Sequence, residues 1–182
     1  MSDDQRRWTI FLDRDGVLNR KAPPHQYITR PEDFVWLPGV LESLRRLHDA
    51  GAYLFVTTNQ QGIAKGIMSE GDVAEIHDLM QAEASRAGAP IDRVYTCPHR
   101  AGTCDCRKPG IGLFERARHD FPQINFSRSV VAGDAESDIA AGKQIGARTI
   151  FIQRTGAFPV RNADAVANSL PDAVDRWILK WI

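Results

Sequence analysis

Short apolar runs alternating with amphipathic stretches constrain this chain more than any other feature. Runs over 10–12, 53–57, 93–96, 129–132 and 148–152 have the length and apolar character of buried strands. Between them lie helix signals. Over 39–50, Val40, Leu41, Leu44 and Leu47 form one stripe that stops at Gly51, and over 69–88, Ser69 and Asp72 form a capping-box pattern ahead of Val73, Ile76, Leu79 and Met80. Further helices are expected near 111–119 and 137–145. Such alternation builds right-handed crossovers and a mostly parallel sheet with helices on both faces, and ligands bind beyond the carboxyl ends of the strands. The expectation is a three-layer α/β, Rossmann-like fold. The tail at 163–168 and a helix near 171–180 are expected to close a single domain spanning residues 1–182, a size that buries a full core.

The first four apolar runs each end in polar residues. Asp13 and Asp15 follow the first, Thr57, Thr58 and Asn59 the second, a cysteine loop with Arg107 and Lys108 the third, and Gly133, Asp134 and Asp138 the fourth. If the first strand continued through Asp15, both aspartates would face one side of it, where like charges need a cation or a proton. In a parallel sheet all four groups converge on one rim. Carboxylates, a hydroxyl and a lysine gathered there are what Mg²⁺-assisted phosphoryl transfer requires. Singly, each has a commoner reading: Asp15-Gly16 as a turn, Asp134 as a helix cap, Lys108 as a solvated surface lysine.

Within "CPHRAGTCDC", Cys97, His99, Cys104 and Cys106 supply three thiols and one imidazole, a complete tetrahedral set for Zn²⁺ with no open position. The site is therefore expected to be structural. Because Cys106 is followed directly by Arg107 and Lys108, fixing the loop on a metal also fixes the chain that enters the lysine.

The motifs "DRDG", "VTTN", "RKP" and "GDAESD", in this order, resemble those of the haloacid dehalogenase superfamily of aspartyl phosphatases over about residues 9–150. The resemblance implies Asp13 as nucleophile, Asp15 as general acid and base, and Thr58 and Lys108 as ligands of the transferring phosphoryl group. It also implies Mg²⁺ held by Asp13, the main-chain carbonyl of Asp15, Asp134 and, as an outer or additional ligand, Asp138. The zinc loop and "TNQQGIAKG" are similar to the branch containing heptose bisphosphate and histidinol-phosphate phosphatases. That branch implies substrate contacts from Asn59, Gln60, Arg107 and Lys108, no large cap domain, and specificity set by the loop over 19–37, the zinc loop and Arg107. It implies removal of the C7 phosphate of D-glycero-D-manno-heptose 1,7-bisphosphate in surface-glycan precursor synthesis, with histidinol phosphate as the alternative substrate. The chain departs from the branch in its proline-rich "RKAPPHQY", in Ala135 and in its compact zinc loop, where substrate is read.

A formal net charge of zero gives no general attraction to nucleic acid or anionic membrane, which argues against a zinc-dependent nucleic-acid module. Neither a signal peptide nor a transmembrane-length apolar run is visible, so a cytoplasmic, monomeric enzyme acting on a small phosphorylated metabolite is expected. A regulatory phosphoacceptor domain also gathers acids around Mg²⁺ and is the rival of another class. Arg20, Lys21, Arg30 and Lys65 are candidates for a distal phosphate or plain surface cations. His25, His48, His77 and His119 are expected to be surface or packing residues, and Trp8, Trp36, Trp177 and Trp181 core or helix-packing residues rather than a stacking platform.

Overall fold

A computed structural model describes residues 7–153 and 162–182. Its centre is a six-stranded sheet in the order β3-β2-β1-β4-β5-β6, every neighbouring pair parallel. The strands are β1 (Thr9–Leu12), β2 (Tyr53–Asn59), β3 (Arg93–Cys97), β4 (Ser129–Gly133), β5 (Arg148–Ile152) and β6 (Ala165–Ala167). The helices are α1 (Val40–Asp49), α2 (Glu70–Arg86), α3 (Gly112–Asp120) and α4 (Glu136–Gln144), then α5 (Leu170–Ala173), which runs through a π-helical turn at Val174–Ile178 into α6 (Leu179–Trp181).

Strand periodicity divides the core in two. Ile10 and Leu12 of β1, Leu54 and Val56 of β2, and Val130 and Ala132 of β4 pack with Leu44 and Leu47 of α1, Ile76 and Met80 of α2, and Leu170 of α5. Phe11, Phe55 and Val131 point the other way, onto Leu113, Phe114 and Ala117 of α3 and Ala141 of α4. Both faces are covered, so the strands read as unbroken apolar runs rather than as an alternation. The capping box at the start of α2 is formed, with Ser69 Oγ accepting from Asp72 N and the Asp72 carboxylate accepting from Ser69 N.

Among the described residues, only β6 adds a strand to those expected. Ala165, Val166 and Ala167 are too short a run to signal one, and pairing with Ile150, Phe151 and Ile152 supplies what local sequence does not. Between β1 and α1 the chain makes an excursion over 19–37, pinned by Arg20 N to Val35 O (2.8 Å) and Leu37 N to Leu18 O (2.9 Å). Among the described residues, no helix is long and apolar enough to cross a membrane.

Candidate active site

Asp13 lies just past β1, where its N–H still donates to Ala132 O of β4 (3.0 Å), fixing it at the sheet edge. The strand goes no further. Leu18 N and Asn19 N both donate to Arg14 O (2.9 and 3.2 Å), turning the chain back on itself. Gly16 has φ +98°, and a side chain there would run into the Asp134 carboxylate, so glycine is required twice over. The expectation that Asp13 and Asp15 share a strand face is therefore corrected: the turn sends their carboxylates to different partners. Both still line one open cavity of about 420 Å³.

Lys108 is the hub of the acidic centre. Its buried Nζ donates to Asp13 Oδ1 (2.9 Å), Asp138 Oδ1 (2.6 Å) and Thr57 O (2.6 Å). Asn59 holds its backbone from both sides, with Nδ2 donating to Lys108 O and Oδ1 accepting from Lys108 N, each at 3.1 Å. Carboxylate oxygens of Asp13, Asp134 and Asp138 all lie within 4.8 Å of one another. Gly133 lets them gather, because a Cβ there would overlap Asp138. Asp134 does not cap α4. Asp138 does so instead, accepting from Ala135 N (3.1 Å), while Lys21 Nζ reaches both oxygens of Asp134 at 2.9 Å.

The charges follow from these contacts. Burial pushes Asp13 up to about 6, with Asp138 and Asp15 adding to the rise and Lys108 opposing it. Burial acts against the Lys108 ammonium too, but Asp13 and Asp138 outweigh it and raise its pKa. For Asp15, burial is outweighed by the Arg14 guanidinium and by hydrogen bonds from Asn19 and Gln60, which hold it below the ordinary carboxylate range. Three hard oxygen donors crowding one point suit Mg²⁺, so this cluster can hold it. The Asp15 carboxylate is not part of that cluster.

In the thiol loop, Cys106 Sγ lies 3.2 Å from Cys97 Sγ and 3.3 Å from Cys104 Sγ, Cys97 and Cys104 are 3.6 Å apart, and His99 Nδ1 is 3.2 Å from Cys106 Sγ. No disulfide joins them. A tetrahedron of about 2.3 Å zinc–sulfur bonds has edges of about 3.7 Å, close to these separations. Burial and the neighbouring Cys97 and Cys104 thiols push Cys106 up to about 12, whereas for Cys104 burial is outweighed by hydrogen bonds from the Arg107 backbone and the other two thiols, which bring it down to about 7; the cluster holds one thiolate readily, and three need a cation among them. The donor set fits zinc. The loop is tied to the exit of β2 by Gln60 N to Cys97 O (2.8 Å) and Ala64 N to Pro98 O (3.2 Å).

The remaining expected residues also line the cavity. Thr58 Oγ1 accepts from Gln60 Nε2 (2.8 Å), and Gln60 is buried, its amide shared between Thr58 and Asp15. Asn59 and Gln60, expected to touch substrate, thus commit their amides to Lys108 and Asp15. Arg107 has a buried Nη1 without a hydrogen-bond partner. Lys21 and Lys65 stand on the wall, Lys65 Nζ at 2.9 Å from Tyr27 OH, whereas Arg20 and Arg30 do not line the cavity.

Two functional-site neighbours were not anticipated. Arg14, fully buried, grips Asp15, and His77 of α2 accepts from Arg14 Nη1 at 3.1 Å. The available signal was the position of His77 beside Ile76 on the apolar stripe of α2, where a polar residue needs a buried partner.

Fold and site together are those of the HAD-hydrolase-like class, whose family model matches residues 105–174. The D-glycero-beta-D-manno-heptose-1,7-bisphosphate 7-phosphatase of Rhodopseudomonas palustris is 41% identical over 149 residues, covering 78% of this chain and 81% of that one. The D-glycero-alpha-D-manno-heptose-1,7-bisphosphate 7-phosphatase of Mycobacterium tuberculosis H37Rv is 38% identical over 168 residues, covering 90% and 88%. Among solved structures, the D,D-heptose 1,7-bisphosphate phosphatase from B. bronchiseptica, complexed with magnesium and phosphate, superposes with a TM-score of 0.84 at 26% identity, covering 95% and 99%. The chain belongs to the haloacid dehalogenase superfamily, in its branch of heptose-1,7-bisphosphate 7-phosphatases.

Proposed function

We propose that this chain is a phosphomonoesterase that removes the C7 phosphate of D-glycero-D-manno-heptose 1,7-bisphosphate through an aspartyl-phosphate intermediate. The observation that carries the reading is the meeting of Asp13, Asp134, Asp138 and Lys108, from three different strand ends, on the wall of one open cavity. An Asp13 oxygen attacks phosphorus as the ester P–O bond breaks, and Asp15 delivers a proton to the departing alkoxide. Water then gives a proton to Asp15 and attacks the phosphoaspartate, breaking the bond to Asp13 and releasing orthophosphate. Asp15 is ionised in the free site, which suits the second half. An arriving phosphate dianion raises its proton affinity, which suits the first. Lys108 and Thr58 hold the phosphoryl oxygens. Asp13, Asp134, Asp138 and the Asp15 carbonyl would hold Mg²⁺, which when bound neutralises charge on the phosphoryl group. Cys97, His99, Cys104 and Cys106 would hold Zn²⁺ as a brace for the segment carrying Arg107 and Lys108.

The distal phosphate is assigned to the cationic wall. Arg107, Lys21 and Lys65 all line the cavity, Lys21 with its ammonium also on Asp134. This composition favours a second phosphate over the ammonium of histidinol phosphate. The same reading makes the protein a cytoplasmic, single-domain monomer. The test is phosphate release from both anomers of the bisphosphate and from histidinol phosphate, with and without Mg²⁺. A higher kcat/KM on histidinol phosphate overturns the substrate, and a long-lived phosphoprotein without turnover overturns the reaction in favour of a phosphoacceptor domain.

A further inference from the structure

We infer that His77, on α2, is a positioning residue for the reaction: through Arg14 it fixes the Asp15 carboxylate in the orientation from which protons are given to the leaving group and taken from water. The inference rests on the reading of Asp15 as general acid and base.

Arg14 lies between two aspartates at a cavity wall, yet has 0% of its surface exposed, and a buried guanidinium needs acceptors for its N–H groups. Nε and Nη2 turn to Asp15, at 3.2 and 2.9 Å from Oδ1, with Nη2 also 2.8 Å from Oδ2. Nη1 points the opposite way, onto His77 Nε2 at 3.1 Å. A guanidinium only donates, so His77 Nε2 is the acceptor and the imidazole is neutral. Asn19 Nδ2 donates to Asp15 Oδ1 (3.0 Å) and Gln60 Nε2 to Oδ2 (2.8 Å), the latter also tied to Thr58. Both oxygens of Asp15 are thus held by side-chain donors, Oδ1 by Arg14 and Asn19 and Oδ2 by Arg14 and Gln60.

His77 is the far end of this chain of contacts. It does not line the cavity, and it is 7% exposed on the core side of α2. Its part is to give Arg14 Nη1 a partner away from the cavity. Without that acceptor the guanidinium relieves its unpaired N–H groups by turning toward water in the cavity, and Asp15 turns with it. A displacement of about 1 Å at a reacting group can cost about 10²-fold in rate.

The leaving group separates positioning of an acid from a general structural effect. A heptose alkoxide needs a proton to depart, whereas 2,4-dinitrophenolate does not. The ratio kcat/KM reports only events up to formation of the phosphoenzyme. In His77→Leu, kcat/KM on the bisphosphate should fall about 10–100-fold while kcat/KM on 2,4-dinitrophenyl phosphate stays within about threefold. On the aryl ester kcat alone should fall and phosphoenzyme accumulate, because its hydrolysis still needs Asp15 as base. His77→Gln, whose side-chain oxygen can accept from Arg14, should recover most of the lost activity. Equal losses of kcat/KM on both esters, no loss on either, or no difference between the Leu and Gln variants would overturn the inference. Should His77→Leu fail to give a native near-ultraviolet dichroism spectrum, Arg14→Lys carries the same test with the same outcomes. Asp15→Asn is the control. If it shows no leaving-group selectivity, the acid–base reading itself fails; if it does and the His77 and Arg14 variants do not, only the positioning inference fails.

Discussion

The acidic centre and the thiol loop are both clusters of negative ligands that need a cation, but they are assembled in opposite ways. Asp13, Asp134 and Asp138 come together only because β1 and β4 are neighbours in the sheet, and Lys108 joins them from beyond β3. The thiol loop draws all four donors from residues 97–106 and is gathered by a few turns of chain. The first depends on the whole fold and, on the function proposed above, performs chemistry; the second depends on local sequence and, on the same reading, performs positioning. They meet at Arg107 and Lys108. Substitutions in the acidic centre should therefore remove turnover and leave the thiol loop's metal in place, whereas substitutions in the loop should remove that metal and only weaken turnover.

The sharpest break comes at Asp13. Asp13→Asn keeps shape and removes the attacking oxygen's charge, so turnover should fall by roughly 10³-fold or more. Zinc content by elemental analysis should be unchanged. Residual activity within tenfold of wild type would show that another group attacks phosphorus. Lys108→Met comes next. It leaves Asp13 and Asp138 buried without their cation, and activity should fall by about 10²–10³-fold. Removing one partner of a buried ion pair costs about 3–5 kcal/mol, so urea unfolding without Mg²⁺ should show a large loss that saturating Mg²⁺ partly restores. Equal stability with and without Mg²⁺ in this variant would mean that the acids do not gather around the cation.

Cys104→Ser probes the other cluster. Zinc should be lost on dialysis against a chelator, and kcat/KM should fall only about tenfold, because Lys108 keeps its grip on Asn59 while the chain ahead of it loosens. Full zinc retention would refute the ligand set. A loss as deep as that of Asp13→Asn would erase the division between chemistry and positioning.

The same contrast explains what sequence could disclose. The thiol loop is legible because its ligands are adjacent and their chemistry is rare. The acidic rim is legible only once the alternation of strands and helices is accepted, since Asp134 or Lys108 in isolation reads as a cap or a surface residue. Strands β1 to β5 show as apolar runs because both sheet faces are covered, while β6 is invisible because three residues pair only where β5 already waits. The turn at Arg14 was hidden for a different reason. Sequence shows three charges in four residues, but nothing in the residue types says that the strand stops at Asp13 and turns on Arg14 O, and the partner of His77 is tertiary. Asn59 and Gln60 show the limit most plainly: polar residues at a strand end look like substrate ligands, and only packing shows that, while lining the cavity, they also hold Lys108 and Asp15.

The smallest expected effect concerns stability and acid. An unfolded imidazole takes up its proton near 6.5, whereas burial and the Arg14 charge push His77 down to about 3. Between these values protons favour the unfolded chain, so the contribution of neutral His77 is complete above 6.5 and shrinks as pH falls, by up to about 1.4 kcal/mol per unit. From pH 7 to pH 5 this amounts to about 2 kcal/mol. Asp13 acts in the opposite direction, because its folded value of about 6 lies above the unfolded 3.8 and favours the folded chain as pH drops through 6. Comparing wild type with His77→Gln cancels the Asp13 contribution and isolates the imidazole, so the stability gap between the two proteins should move by about 2 kcal/mol in favour of the variant over that interval. A gap that stays constant from pH 7 to pH 5 would mean that His77 is already protonated or exposed in the folded protein. The support that α2 gives the acidic centre would then have to come from packing alone.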